Sequence, residues 1–215
     1  MSPKLQSRTK AKPIGFMSMS FLERTDFDAL AHRFKVQLFN SVVGHKNACL
    51  IATENQVKQS NLAIFNSLVH IGSSPPLLGV IFRPDSVERH TYENILETKS
   101  YTVNLISEKD IASAHQTSAR YPRTESEFKV TSLAAAYKDG FHAPYVESSP
   151  ISFGLEFREN IPLEINGTNL VIGGVKWLKF PEEILELDGF ADLTKAGIVG
   201  CIGLDDAATY IKDWL

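Results

Sequence analysis

The sequence predicts an antiparallel β-barrel, mainly β with α-helical additions, and three observations carry that reading. Residues 151–158 alternate, with Ile151, Phe153, Leu155 and Phe157 on one side and Ser152, Gly154, Glu156 and Arg158 on the other. That is the pattern of a half-buried antiparallel strand. Asn166-Gly167 sits between the apolar runs 161–165 and 170–180, a strong hairpin signal, and Gly173-Gly174 within the second run predicts a bulge or sharp bend at a barrel corner. Several more short apolar runs are closed by turn residues, as in an antiparallel barrel.

Taken in order, residues 1–15 read as a loose tail and residues 16–215 as one domain. A helix is expected after Thr25-Asp26, where Phe27, Leu30, Phe34 and Leu38 recur at helical spacing, with packing as its task. Residues 48–53 form a strand ended by Glu54-Asn55, and residues 62–71 a second one ended by Gly72-Ser73-Ser74-Pro75-Pro76. A third strand over 77–82 leads into a polar loop, 83–89, and then a helix over 90–99 whose Tyr92, Ile95 and Leu96 give it one apolar side. Residues 101–106 return as a strand, 108–119 have helical character, and 121–131 are mixed.

Composition sets limits. A chain of 215 residues with 43% apolar and 22% charged residues has the make-up of a packed globular protein and can bury a core without staples. A net charge of −3 gives no general attraction for phosphate backbones, so nucleic acid is not an expected partner. Cys49 and Cys201 stand far apart in no paired motif, which predicts reduced core residues. No long apolar span follows the basic start, so a cytoplasmic protein with no membrane partner is expected.

Two clusters carry possible chemistry. The loop and helix start at 83–91 hold Arg83, Ser86, Arg89, His90 and Thr91. Two guanidinium forks and two hydroxyls beside first-turn amides can bind a phosphate. The same residues also fit a solvated loop in which Ser86 or Thr91 caps the helix, the plainer reading of the loop alone. The second cluster is the strand Asn61-Leu62-Ala63-Ile64-Phe65-Asn66-Ser67, whose amides and hydroxyl could bond the edge of a flat heterocycle. Alternatively, Asn61 belongs to a turn and Ser67 satisfies a neighbouring carbonyl.

Other chemistries lack their residues. The six histidines are scattered without metal-ligand spacing, so no metal site is expected. There is no G-x-G-x-x-G, no phosphate-loop lysine and no Gly-x-Ser-x-Gly elbow.

The order of motifs adds more than any one of them. Ser60-Asn61-Leu62-Ala63, Ser67, Pro75-Pro76 and Arg89-His90-Thr91-x-x-Asn94-Ile95 resemble the pattern of the flavin reductase-like family. Val103-Asn104, His115-Gln116-Thr117-Ser118-Ala119, Ser126-Glu127-Phe128, Ala143-Pro144-x-Val146-Glu147-Ser148, Asp188-Gly189 and Gly203-Leu204-Asp205 are similar to its later signposts. The resemblance spans roughly residues 20–210.

It implies a flavoredoxin-like split barrel that binds flavin mononucleotide (FMN) near a homodimer interface. Asn61, Leu62, Ala63 and Ser67 would then lie at the flavin ring, and Arg83, Ser86, Arg89, His90 and Thr91 at the ribityl phosphate. Asn94 and Ser118 would be further contacts. The chain departs from the family at Gly44-His45-Lys46-Asn47, where relatives often carry Pro-Arg-Pro, and at Gln56-Val57-Lys58-Gln59, where a turn glycine is usual.

The implied activity is hydride transfer from NAD(P)H to flavin, in which the cofactor carries the hard step and no acid–base dyad is required. A flavin-binding electron carrier that serves a redox partner and lacks its own nicotinamide site fits the same resemblance. A pyridoxamine-phosphate-oxidase-like enzyme would share the barrel, though no motif favours it. A barrel using the basic loop for another phosphate is a further alternative.

Overall fold

In a computed structural model describing residues 20–84, 87–203 and 209–211, the chain builds a seven-stranded antiparallel sheet with helices at its margins. The predicted tail, residues 1–15, lies outside the described residues.

Two helices come first, α1 (Arg24–Ala29) and α2 (His32–Val42). The single periodic helix expected there is interrupted, because Leu30 and Ala31 are extended, with ψ of 138° and 139°. Glu23 and Asp26 cap α1 reciprocally, so the first helix has its own start. Phe27 and Phe39 meet edge-on at 5.3 Å across the break, where one straight helix would separate them by about 18 Å. The helices bury no residue, which corrects the simple packing role read from their periodicity.

The strands follow as β1 (Lys46–Asn47), β2 (Cys49–Glu54), β3 (Ser60–Phe65), β4 (Leu68–Ser73) and β5 (Pro76–Phe82). Next come α3 (His90–Thr98), β6 (Ser100–Leu105), α4 (Ile111–Gln116) and α5 (Glu127–Val130). The remaining strands are β7 (Ala135–Ala136), β8 (Tyr145–Val146), β9 (Ser152–Leu163), β10 (Thr168–Lys179), β11 (Gly200–Ile202) and β12 (Thr209–Ile211).

The large sheet runs β3-β2-β6-β9-β10-β5-β4. Its two edge strands, β3 and β4, are consecutive in the chain. Residues 62–71, expected as one strand, are therefore two, and Asn66-Ser67 carries the chain from one edge of the sheet to the other. Across this seam Ser67 Oγ donates to the Ile81 carbonyl at 2.8 Å, and Phe65 packs on Phe82 with ring centres 5.0 Å apart. The sheet curls toward closure but stays unpaired between β3 and β4, a split barrel.

The strand β2 is buried on both faces. Cys49 and Ile51 join the core with Val80, Tyr101 and Leu155, while Leu50 and Ala52 join a second cluster with Leu62, Ile106 and Val146. Burial on both sides is why residues 48–53 read as a continuous apolar run.

The strand β9 departs from its half-buried reading. It continues unbroken to Leu163, and Ser152 and Gly154 on its polar side are buried. Phe141 and Tyr145 pack on Trp177 at 5.4 and 5.7 Å, and the Trp177 indole occupies the space a Cβ on Gly154 would need. The hairpin turn comprises residues 164–167, with Gly167 at φ 71°, so Glu164 and Ile165 are turn residues. The register slips beside Gly173, at Ile172/Gly173, which is the expected bulge.

The departure at residues 56–59 is accommodated without glycine. Lys58 adopts φ 64°, an unusual conformation for a residue with a side chain. Asn55 holds that turn through its Oδ1, which accepts from the Val57 and Gln59 amides at 3.1 and 2.8 Å.

Candidate functional site

A cleft of about 970 Å³ opens along the free edge of β3 beside the seam. Its floor is β3 from Asn61 to Phe65, continued by Asn66 and Ser67. One wall is formed by residues 81–83 and 87–91, and other parts come from α2 and from the turn after α4.

Asn61 and Thr91 join floor and wall. Asn61 Nδ2 donates to Thr91 Oγ1 at 2.8 Å, and both residues are buried. Because the Thr91 oxygen accepts this bond, its own O–H remains available to donate. Thr91 stands in the first turn of α3, where backbone amides have no intrahelical acceptor and favour an anion. Arg83, Arg89 and His90 line the same wall. Arg89 is the residue preceding α3, and its amide donates to Glu93 Oε1 at 3.0 Å while its Nε donates to the Pro84 carbonyl at 3.4 Å. His90 Nε2 lies 3.7 Å from Glu88.

The floor's chemistry follows from strand parity. The Leu62 amide points off the free edge and donates to Glu127 Oε2 at 2.8 Å. Ile64 has the same parity, so its amide and carbonyl also point off that edge, into the cleft it lines. Ala63 leaves room above the strand. A flat ring could lie there with its polar edge against main-chain groups.

Glu127 begins α5 and is 6% exposed. Burial raises its carboxyl above the ordinary glutamate value, against the Leu62 amide and His90, which favour the charged form. Glu93 behaves oppositely: burial pushes its carboxyl up, but the Arg89 amide, the Arg123 guanidinium and His90 outweigh that and hold it low.

The sequence-derived candidates divide. Asn61, Ala63, Ser67, Arg83, Arg89, His90, Thr91 and Ser118 come together on this one cleft. Leu62 does not line it, since its side chain is fully buried in the core behind the strand. Asn94 is also away from it: its Nδ2 donates to Thr53 Oγ1 at 3.0 Å and its Oδ1 accepts from Arg123 at 2.9 Å. It steadies α3 on β2. Ser86 lies outside the described residues.

Asn66, the second amide of the strand read from the sequence, also lines the cleft, and Ile64, Thr117, Arg120, Tyr121 and Glu127 line it without having been singled out as contacts. Cys201 does so too, while remaining buried, and neither cysteine is paired in a disulfide. Burial, and secondarily the neighbouring Cys201, push the Cys49 thiol up to about 12. No metal-binding cluster occurs among the described residues.

Comparison with known proteins bears on this cleft. Residues 45–193 match the family model of the flavin reductase like domain. A protein of Shewanella frigidimarina assigned as a flavin reductase with a split barrel domain is 37% identical, with TM-score 0.85 over 92% of this chain and 98% of that one. The nitrilotriacetate monooxygenase component B of Bacillus cereus is 18% identical with TM-score 0.79, over 93% and 98% of the two chains. Flavoredoxin of Desulfovibrio vulgaris is 21% identical with TM-score 0.67, over 93% and 96%. The last two share the fold.

Proposed function

Since the chain belongs to the flavin reductase like domain family, we propose that it binds FMN in the cleft and is reduced there by NADH or NADPH. The observation that carries this reading is the convergence on one cleft of a phosphate-type donor set and a free strand edge. The donor set is Arg83, Arg89, the Thr91 hydroxyl and the first-turn amides of α3, charge-assisted partners suited to a phosphate dianion. Ser86 would belong with it.

The strand edge suits a ring. Main-chain groups of Ile64, with Asn61, Ala63 and Ser67 around them, would bond and seat an isoalloxazine. When bound, the flavin supplies the hydride chemistry. The chain's residues then bind and orient. Asn61 fixes Thr91, Thr91 and the arginines hold the phosphate, and the apolar Ile81, Phe82 and Val87 exclude water from part of the cleft. His90 and the arginines also favour negative charge arising on a ligand in the cleft.

A second reading, an electron carrier for a protein partner, is favoured by one feature. Ile81 and Val87 line the cleft yet stay 38% and 52% exposed, apolar surface at the site where a partner would meet the flavin. We also propose a homodimer, supported by exposed Phe34, Val42 and Val43 at 57%, 64% and 66% on and just after α2, a helix that borders the cleft. A cytoplasmic setting would keep the two cysteines reduced; no described helix is long and apolar enough to cross a membrane. Anaerobic mixing of the FMN-loaded protein with reduced nicotinamides separates reductase from carrier.

A further inference from the structure

The turn after α4 presents a cation that the flavin reading leaves unused. The Thr117, Ser118 and Ala119 amides donate in succession to the carbonyls of Ala114, His115 and Gln116 at 3.2, 3.0 and 3.1 Å. Thr117 Oγ1 adds a bond to the Ala114 carbonyl at 2.8 Å. Beyond Arg120, the Tyr121 hydroxyl accepts from Gln116 Nε2 at 3.4 Å, and the same Gln116 amide donates to the Val130 carbonyl at 3.0 Å. The backbone leading into Arg120 is thus held by the turn, and the side chain of the residue after it, Tyr121, is tied back to α4.

The Arg120 side chain is the contrast. It is exposed and lines the cleft, yet among the described residues it forms no hydrogen bond or ion pair. Its segment is separate from the loop that supplies Arg83 and Arg89. A guanidinium carried at the end of a hydrogen-bonded turn, with its fork of donors unengaged, suits a planar oxyanion. The exposed Ser118, two residues earlier and on the same cleft, adds a hydroxyl donor.

We propose that Arg120 anchors an oxyanion of a second ligand that enters the cleft beside the flavin. This rests on the flavin reading. Two sources share the chemistry: a phosphate of a nicotinamide dinucleotide, and the carboxylate of an aromatic acceptor. Arg120 then determines the specificity of the second site and leaves flavin binding to the other wall.

Isothermal titration of the full-length protein tests it, first with FMN and then, on the FMN-loaded protein, with NAD⁺ and separately with benzoate. Wild type, Arg120→Ala and Arg120→Lys are compared. The alanine variant is expected to bind FMN within about twofold of wild type and one of the two probes about tenfold or more weakly, with lysine intermediate. Weakening of NAD⁺ alone assigns the anion as a phosphate, and weakening of benzoate alone as a carboxylate. Normal FMN uptake with both probes unchanged, or with neither bound by wild type, overturns the role of Arg120. A wild-type protein that takes up no FMN overturns the flavin reading instead, and this inference falls with it.

Discussion

Asn61 on β3 and Thr91 at the start of α3 are thirty residues apart in sequence and 2.8 Å apart in the fold. The bond ties the floor of the cleft to the wall that would hold a phosphate. It also orients the Thr91 hydroxyl, since an oxygen already accepting from Asn61 has its proton free to donate.

Replacing Asn61 by Ala should therefore weaken FMN binding by about 1 kcal/mol, near the net worth of one hydrogen bond. Combined with Thr91→Val, the loss should fall short of the sum of the single losses by about 0.5 kcal/mol or more, because the two residues act as one unit. Titration of FMN into the four proteins measures this. Full additivity would show that the pair does not cooperate in binding.

Arg89→Ala removes charge-assisted donors from the same wall. FMN affinity should drop by roughly 2–4 kcal/mol. Unchanged affinity would remove this wall from the phosphate site.

The Tyr101 hydroxyl is buried without a hydrogen-bond partner and fills the place a Cβ on Gly173 would take. Tyr101→Phe should leave stability unchanged or raise it by up to about 1 kcal/mol, since an unsatisfied group is removed. Gly173→Ala should lower it by about 1–3 kcal/mol through overpacking at the β10 bulge. Urea unfolding at constant slope checks both.

Glu127 supplies a pH signature. Its carboxyl is raised by burial above the ordinary value of 4.5, so the ionised form is disfavoured in the folded protein. The neutral form's advantage is complete at low pH and is lost as pH rises through the raised value. Glu127→Gln keeps an acceptor for the Leu62 amide without the charge. Its stability relative to wild type should improve as pH increases above 4.5 and level off once wild type is fully ionised. A difference that is flat across this range would contradict the burial argument.

Much of this was legible in the sequence. Turn residues and alternation marked most strands, and the Gly173-Gly174 pair marked the bulge. Within β3, parity does not separate Leu62 from the cleft, since Ile64 shares its parity and lines it; what withdraws the Leu62 side chain is its packing in the core beside Leu50 and Ala52, which depends on the tertiary fold. Asn94 was harder: it lies one helical turn beyond Thr91, the face bordering the cleft, yet is drawn into a network with Thr53 and Arg123. The break at Leu30-Ala31 has no proline or glycine to announce it. Arg120 and Glu127 reach the cleft from segments far from β3 in the chain, by tertiary packing that no local pattern encodes. The division of residues 62–71 had a visible sign in Asn66-Ser67, a polar pair inside an apolar run, whose meaning depends on where β4 pairs.

The central claim is that the cleft binds FMN and brings it into reach of a reduced nicotinamide. Anaerobic stopped-flow absorbance, with the FMN-loaded protein mixed against NADH and then NADPH, tests it most directly. The account predicts a bound flavin band that bleaches rapidly with at least one donor, faster than free FMN under the same conditions. A band that forms and persists with both donors would contradict the reductase reading and favour the electron carrier, and a protein that binds no FMN would contradict the site itself.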